Sequence, residues 1–552
     1  MLFFTGFMSG ILRSNITLVL EAMVLQPTTK LVPHCLEKYH KSEWMDVEVP
    51  DYGPRYNWSR SIVWHITTTY YYGSSLGGLS SGLLVEIFGP KHTVLWSLVA
   101  SSILNALIPH GAAFHWMVPL TCRFCGGLAA GIIYPSMMCL ITRWSPPHER
   151  GKFLSAMVGH LVGVAAMWTF LNYTMPLTGW QSTFYTMTAL VTVYCVAFFL
   201  LVADSPEESN LITQEELEHI KKSQGHLISI KKQLPPYKKI LTSSSIWALV
   251  ILNFGYKWCN QINVVLAPRF IRDFIGVTTR QSVLLIIVPQ IFEYCGSVLF
   301  GNMSDIIQAT NTMSVNVMTK IFVVVSHLLP GIIIMSIGIA QCSLAASTIM
   351  TIIISFMAGA CVVTNFRNPL DLAPNHAASI YGINIFVGST SGVLLPLLFS
   401  LLLSSTHAVL QWSIMFLLTG LVLIATGLIF LFFGTSELQY WNVKLGIDWQ
   451  EELIKINKPQ SLHLNSIMDN VTFYQDRFEI LVDIRGFKPE EIKCTVTQRA
   501  VEVLAQSEDY SENNQKRMVL SRQYFLPKFA NADAGSCCLS SEGVLLVTAP
   551  WV

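Results

Sequence analysis

Between Met1 and Gly434 the apolar positions come in long runs separated by short polar breaks. Each run is about 20 residues, the length that crosses about 30 Å of hydrocarbon as a helix. Twelve runs fit this description, centred near Gly10, Tyr71, Ser101, Gly131, Gly163, Tyr194, Ile251, Pro289, Val325, Ile353, Val393 and Leu421. The first starts almost at Met1, as in a chain with a shortened N-terminus. No basic stretch precedes it and Arg13 interrupts it, so it reads as a span and not as a cleaved leader. After Trp441 the period changes. Residues 451–464 are polar, then Phe478–Ile484, Val501–Ala505 and Gly543–Val547 carry strand-like apolar patterns between polar turns. Such segments predict a small all-β sandwich of about 80 residues. The expected architecture is an all-α membrane bundle of two six-helix halves, 1–204 and 245–436, joined by a central loop at 205–244. A linker at 437–468 leads to the sandwich at 469–552.

Composition narrows the function classes. Of 552 residues, 52% are hydrophobic and only 12% charged, against about 25% charged in a soluble protein. That excludes an ordinary soluble enzyme and a disordered chain. Lys+Arg 35 against Asp+Glu 34 leaves no basic excess for nucleic acid. Twelve cysteines are too sparse for a disulfide scaffold. The pair Cys122 and Cys125 lies on an apolar helix without a second pair and reads as packing, not as a metal site. No phosphate-cradling loop, catalytic triad order or zinc-protease motif is present, so no enzyme, cofactor or metal is expected.

Basic residues in short loops set the topology. Lys91, then Arg143, Arg150 and Lys152, the lysines of the central loop, and Arg367 all fall on one side, which places both ends of the bundle in the cytosol. Arg269, Arg272 and Arg280 fall on the outer side and weaken the bias there. The first outer loop carries the sequon Asn57-Trp58-Ser59, on the side where glycosylation occurs.

The halves echo each other. Span two ends in Gly82-Leu-Leu-Val-Glu86 with Lys91 following, and span eight ends in Gly301-Asn-Met-Ser-Asp305. A glycine admits a neighbouring helix, and a carboxylate one turn on can latch a basic group in one conformation and release it in another. The alternative is a pair of solvated loop acids. Glu149 and Arg150, after span four, belong to the same candidate gate.

With these residues in view, the chain resembles a major facilitator transporter, and within it the anion transporter family of sodium-phosphate cotransporters, sialin and vesicular glutamate transporters. The resemblance rests on Arg13-Ser-Asn15-Ile-Thr, on Arg123 through Tyr134-Pro135, on Trp144 through Arg150, on Leu370-Asp371-Leu-Ala373-Pro374, on Gly388 through Gly392, and on Gly434 through Trp441. It implies a twelve-helix major facilitator bundle moving a small anion by alternating access, driven by H+ or Na+, in the plasma membrane or a lysosomal or vesicular one. Phosphate, glutamate-like acids, sialic acid and urate-like anions all suit it. Arg13, Asn15, Arg123 and Tyr134 match the positions implied to contact substrate. A guanidinium in hydrocarbon costs a few kcal/mol, about 2.5–3.5 on insertion scales, so both arginines should face a polar cavity. Bidentate binding of carboxylate or phosphate is one use for them; satisfaction by carbonyls or by Glu21 is the other.

Departures from the family pattern matter. Ala130 stands where relatives commonly carry the glutamate implied to couple protons. Thr67 stands where vesicular glutamate transporters carry a histidine, Tyr256 where they carry an arginine, and Pro369 where a histidine is usual. Glu293, in mid-span eight, is the substitute coupling candidate; pairing with Lys257 or no role at all are the competing readings.

The C-terminal sequence is similar to the α-crystallin domain of small heat-shock proteins. The matching residues are Asp476-Arg-Phe478, Asp483, Phe487 through Ile492, Leu526-Pro527, Ser541 through Leu545, and Ala549-Pro550. This implies dimerisation through the strand near Met518–Phe525 and binding of unfolding clients along sheet edges. Three function classes follow: a secondary transporter, a membrane-tethered chaperone, and a transporter homologue that no longer transports. A joining of two neighbouring genes in one sequence is a further reading of the C-terminal part. The topology is tested at Asn57. Asn57→Gln removes the mobility shift on glycosidase treatment if that loop faces the lumen, and an unchanged glycosylated band sinks the assignment.

Overall fold

The computed structural model describes residues 1–25, 35, 52–224, 234–266, 270–275, 279–340, 342–402, 408–439, 441–442, 470–473, 477–484, 487–496, 500–511, 514–525, 535–539 and 544–550. The chain forms two compact units, Met1–Asn442 and Val443–Val552. The first is helical: α1 (Leu2–Met23), α2 (Arg60–Phe88), α3 (Pro90–Phe114), α4 (Met117–Trp144), α5 (Arg150–Met157), α6 (His160–Leu201), α7 (Ser244–Gln261) and α8 (Thr279–Ala309). The remaining spans are α9 (Val315–Gly338), α10 (Leu344–Leu372), α11 (Pro374–Phe399) and α12 (Val409–Phe433).

Among the described residues, eight helical stretches are long and apolar enough to cross a membrane. One of them, Pro147–Leu201, has 55 residues, enough at 1.5 Å per residue for two crossings. It folds back at Gly179, whose φ of 78° is open to glycine and strained for other residues. With that doubled stretch and the long helices α1, α2 and α7, the bundle makes twelve crossings. The expected bundle of two halves is what the structure has.

Helix pairing in the first half repeats in the second. Helix α2 packs on α4 as α8 packs on α10, and α3 packs on α6 as α9 packs on α12. Small residues set the closest approaches. Gly73 and Gly77 of α2 lie on the backbone of α4 at Phe124 and Leu128, while Gly127 and Gly131 of α4 lie on the backbone of α2 at Tyr70 and Ser74. A methyl group at any of these would run into a carbonyl oxygen, so the glycines are close-packing devices of the kind lipid-embedded helices need. The halves meet along α2 with α11, and along α5 and α6 with α8. Ser75 Oγ donates to the Phe386 carbonyl across that seam at 2.7 Å.

At the opposite end from the loop Ser145–Glu149, a disulfide joins Cys35, between α1 and α2, to Cys342, between α9 and α10, over a separation of 307 residues. It ties the two halves covalently. Composition alone had no means of picking these two cysteines from twelve.

The second unit is a β-sandwich of a four-stranded and a three-stranded sheet. The first is ordered β1 (Asn470–Phe473), β2 (Arg477–Asp483), β7 (Val544–Pro550), β6 (Ser536–Leu539), and the second β3 (Ile492–Val496), β4 (Ala500–Ser511), β5 (Asn514–Phe525). All pairings are antiparallel, with Ile480 opposite Val547 and Val503 opposite Arg522. Ile480, Val482, Val501, Val503, Ala505 and Val547 are buried while Glu502 and Leu504 point outward, the alternation read from the sequence. The motif residues Asp476, Leu526, Pro527 and Ser541–Gly543 lie outside the described residues.

The covalent tie is checked by placing a protease site in the central loop at 225–233. The two fragments should co-migrate without reductant and separate with it. Separation without reductant, or in wild type but not only in Cys35→Ser, contradicts the bond.

Candidate functional site

A cavity lies between the halves, lined by Arg13, Ser14, Thr67, Tyr71, Arg123, His160, Leu161, Val164, Asn260 and Gln290. The first eight come from α1, α2, α4 and α6, and the last two from α7 and α8. Arg13 sits midway along α1, half-buried, its guanidinium 5.7 Å from the Tyr71 ring centre. Arg123 is buried, 4.4 Å above the Tyr70 ring. An aromatic face offsets part of the desolvation of a cation, by about 0.5–2 kcal/mol, and Tyr71 also hydrogen-bonds Arg13. Among the described residues neither arginine has a carboxylate partner, and Arg123 Nε has no hydrogen bond. Both cations line the same cavity, and Arg123 has a donor to spare there.

The other expected contact residues divide. Tyr134 lies behind the cavity, its ring edge-on to His160 at 5.6 Å and its hydroxyl on Ser9. Asn15 is fully buried and donates to Asn105 Oδ1 at 2.6 Å, so it ties α1 to α3 and does not line the cavity. Ala130 borders a second crevice of about 380 Å³ that Arg123 also lines. The missing glutamate would have stood beside that arginine. Glu293 is 2% exposed and accepts from the Tyr256 hydroxyl at 2.9 Å. It lies one turn along α8 from the cavity residue Gln290. No Lys257 nitrogen comes within 4.0 Å of its carboxylate; Lys257 Nζ lies 5.4 Å over the Tyr256 ring. Thr67 lines the cavity while His65 is exposed on another face.

The candidate gate residues gather at one end of the bundle. Asp305 accepts from the Gly151 and Lys152 backbone N–H groups at 2.8 and 3.0 Å and from Arg367 at 3.0 Å. Gly151 and Gly301 meet backbone to backbone, which lets α5 approach α8. Arg150 donates to the Leu370 carbonyl at 3.2 Å and pairs with Asp371 at 3.4 Å, and Arg367 also reaches Asp371 at 3.6 Å. Arg367 further donates to the Pro147 carbonyl at 2.9 Å and to Gln308. The first half is thus fastened to α8 and α10 of the second by two arginines and two carboxylates, all nearly buried. A buried ion network adds little net stability relative to apolar packing, yet removing one partner costs about 3–5 kcal/mol. That combination suits a latch better than a strut.

The echo of this arrangement in the first half is looser. Lys91 N–H binds Asp204 at 2.7 Å and Lys91 Nζ lies 5.0 Å over Phe199, while Glu86 is half-buried beside Gly82, which abuts Ser379. Glu149 is half-buried in the short turn before Arg150. Asn57 is exposed, two residues before the helix-capping Ser59. Sequence reading did not single out Asp204, Arg367 as the hub of the latch, or His160, Asn260 and Gln290. The spacing of Asn260 and Gln290 on their helices carried no signal, because which face of a span looks inward is set by its neighbours. No cluster of three or more metal-ligating side chains occurs among the described residues.

Comparisons with known proteins bear on the family and the fold. A family model described as Hsp20/alpha crystallin family matches residues 471–552. The chain is 30% identical to human (Homo sapiens) sodium-dependent phosphate transport protein 1 over 395 residues, covering 70% of this chain and 83% of that one. It is 24% identical to sialin of Ovis aries over 450 residues, 80% and 89% of the two chains. Vesicular glutamate transporter 1 of Xenopus laevis matches at 23% over 421 residues, 74% and 72%. The solved structure of the proton:xylose symporter XylE bound to 6-bromo-6-deoxy-D-glucose superposes with a TM-score of 0.56 over 79% of this chain and 96% of that one, at 16% identity, a likeness of fold. The model of the Major Facilitator Superfamily matches residues 2–396, and the chain belongs to that superfamily.

Proposed function

We propose that this chain is a secondary transporter that carries an anion across a membrane by alternating access, with Arg13 and Arg123 as its anion contacts. The observation carrying this is the central cavity that both arginines line, without a carboxylate partner among the described residues. Buried cations lacking a protein counter-charge favour a ligand that brings one, and guanidinium binds carboxylate or phosphate through paired hydrogen bonds. The named relatives move phosphate or glutamate by title, which agrees in charge.

The latch at Asp305, Arg367, Arg150 and Asp371 closes one end in this conformation. Its opening, with closure of the other end, would expose the cavity alternately to each side. By the distribution of Lys and Arg, the latched end faces the cytosol. Glu293, close-packed with Tyr256 one turn from the cavity, is the candidate for ion coupling, by H+ or Na+, in place of the absent glutamate at Ala130. In the C-terminal sandwich β5 is an edge strand, paired among the described residues with β4 alone. An open edge of this kind supports pairing with a second copy.

Two measurements test the transport reading. Uptake of radiolabelled phosphate, glutamate, sialate and urate is measured in cells expressing the chain. For whichever anion accumulates, Arg123→Ala lowers uptake at least about tenfold, the value of a charge-assisted contact, at unchanged surface level. Full uptake in that variant removes Arg123 from the site. Glu293→Gln retains binding but loses the dependence of uptake on external pH across the acid-to-neutral range; an unchanged profile removes Glu293 from coupling.

A further inference from the structure

The C-terminal sandwich holds two thiols in contact between its two sheets. Cys494 lies in β3 and Cys537 in β6, and their Sγ atoms are 2.9 Å apart. That is inside the about 3.5–4.0 Å at which carbon atoms rest against each other, and beyond the about 2.05 Å of a disulfide bond. Both cysteines are free. The strand register explains why they meet. Residues directly opposite in an antiparallel pair share a face. Cys494 is opposite Val503 and Cys537 is opposite Val547, and both valines are buried, so the thiols stand on the inner faces of their sheets. Cys538, the next residue, is opposite Leu546 and stands on the other face. Among the described residues β3 ends the three-stranded sheet and β6 the four-stranded one, so the contact lies at an edge of each. Cys537 is exposed there, while Cys494 is half-buried. Burial, together with the neighbouring thiol, pushes the Cys494 thiol up and keeps it protonated.

We propose that Cys494 and Cys537 are an oxidant-modifiable pair, joined by a hydroperoxide into a disulfide that clasps the edges of the two sheets. The exposed Cys537 reacts first. Its sulfur takes one oxygen from hydrogen peroxide as the O–O bond breaks, giving a sulfenic acid and water. Cys494 Sγ then attacks the sulfenic sulfur. The S–O bond breaks, and hydroxide leaves with the Cys494 proton as a second water. The two thiols lose two electrons and the peroxide gains them. Because the sulfurs already touch, closing the bond moves them by less than an ångström. The bond closes a ring over a separation of 43 residues, through the whole of β4 and β5, a span whose cross-linking restricts the unfolded chain. An exposed disulfide is open to exchange with small thiols, so a reductant returns the pair to its starting state.

The test treats the purified full-length chain with hydrogen peroxide under native conditions, alkylates the remaining thiols and maps the peptides by mass spectrometry. The expected product is a linked Cys494–Cys537 peptide pair that dithiothreitol reverses. Cys538→Ser leaves its yield unchanged. In Cys494→Ser, Cys537 stops at a sulfenic acid that dimedone traps. Amide exchange across β3 and β6 slows severalfold on oxidation of wild type and not in Cys494→Ser, whose exchange before oxidation matches wild type and shows that it is folded. Full alkylation of both thiols after peroxide overturns the pair, as does a link made through Cys538 or to a second copy of the chain. A Cys494–Cys537 link that leaves exchange unchanged overturns the clasp.

Discussion

A charge surrounded by hydrocarbon must find its partners inside the protein, and this bundle is organised by how it provides them. Two kinds of arginine are present. Arg150 and Arg367 hold carboxylates, carbonyls and a hydroxyl with their terminal nitrogens. Arg13 and Arg123 have aromatic faces and open space. In the proposed transport cycle the first pair is a fastener and the second pair a receptor, because a buried cation is expensive without a partner.

The fastener works because of its surroundings. Asp305 is held by two backbone N–H groups as well as by Arg367, and those groups are presented by the turn at Gly151 where α5 meets α8. Backbone contact of Gly151 with Gly301 is what brings the turn within reach. Packing and electrostatics are therefore one device here: without the glycines the carboxylate is too far away, and without the carboxylate the close approach leaves polar groups unpaired. The disulfide Cys35–Cys342 ties the halves at the opposite end, so a covalent tie and an ionic one hold them at the two ends.

The C-terminal sandwich follows different rules. Its core sets Ile480, Val482 and Val547 of one sheet beside Val501 and Val503 of the other, an arrangement that water drives and that lipid would not. The bundle instead depends on small residues and shape, because lipid tails are as apolar as leucine. One chain thus contains two solutions to folding in two solvents, and the change of hydrophobic period after Trp441 marks where one gives way to the other.

Run length and period were enough to determine twelve crossings, two halves and a separate sandwich, because the thickness of hydrocarbon and the pleat of a strand impose fixed repeats on any sequence that obeys them. The motifs around Arg13, Arg123, Gly301 and Asp305 were legible for a similar reason: a charge or a glycine inside an apolar run has few uses. What only the tertiary structure decided is which residues share a space. Asn15 and Arg13 are two positions apart on α1, yet one ties to Asn105 and the other enters the cavity. Gln290 and Asn260 carry no motif, and line one cavity with Arg13 because α7 and α8 turn those faces inward. The facing of a helix is fixed by contacts hundreds of residues away, and no local pattern encodes it.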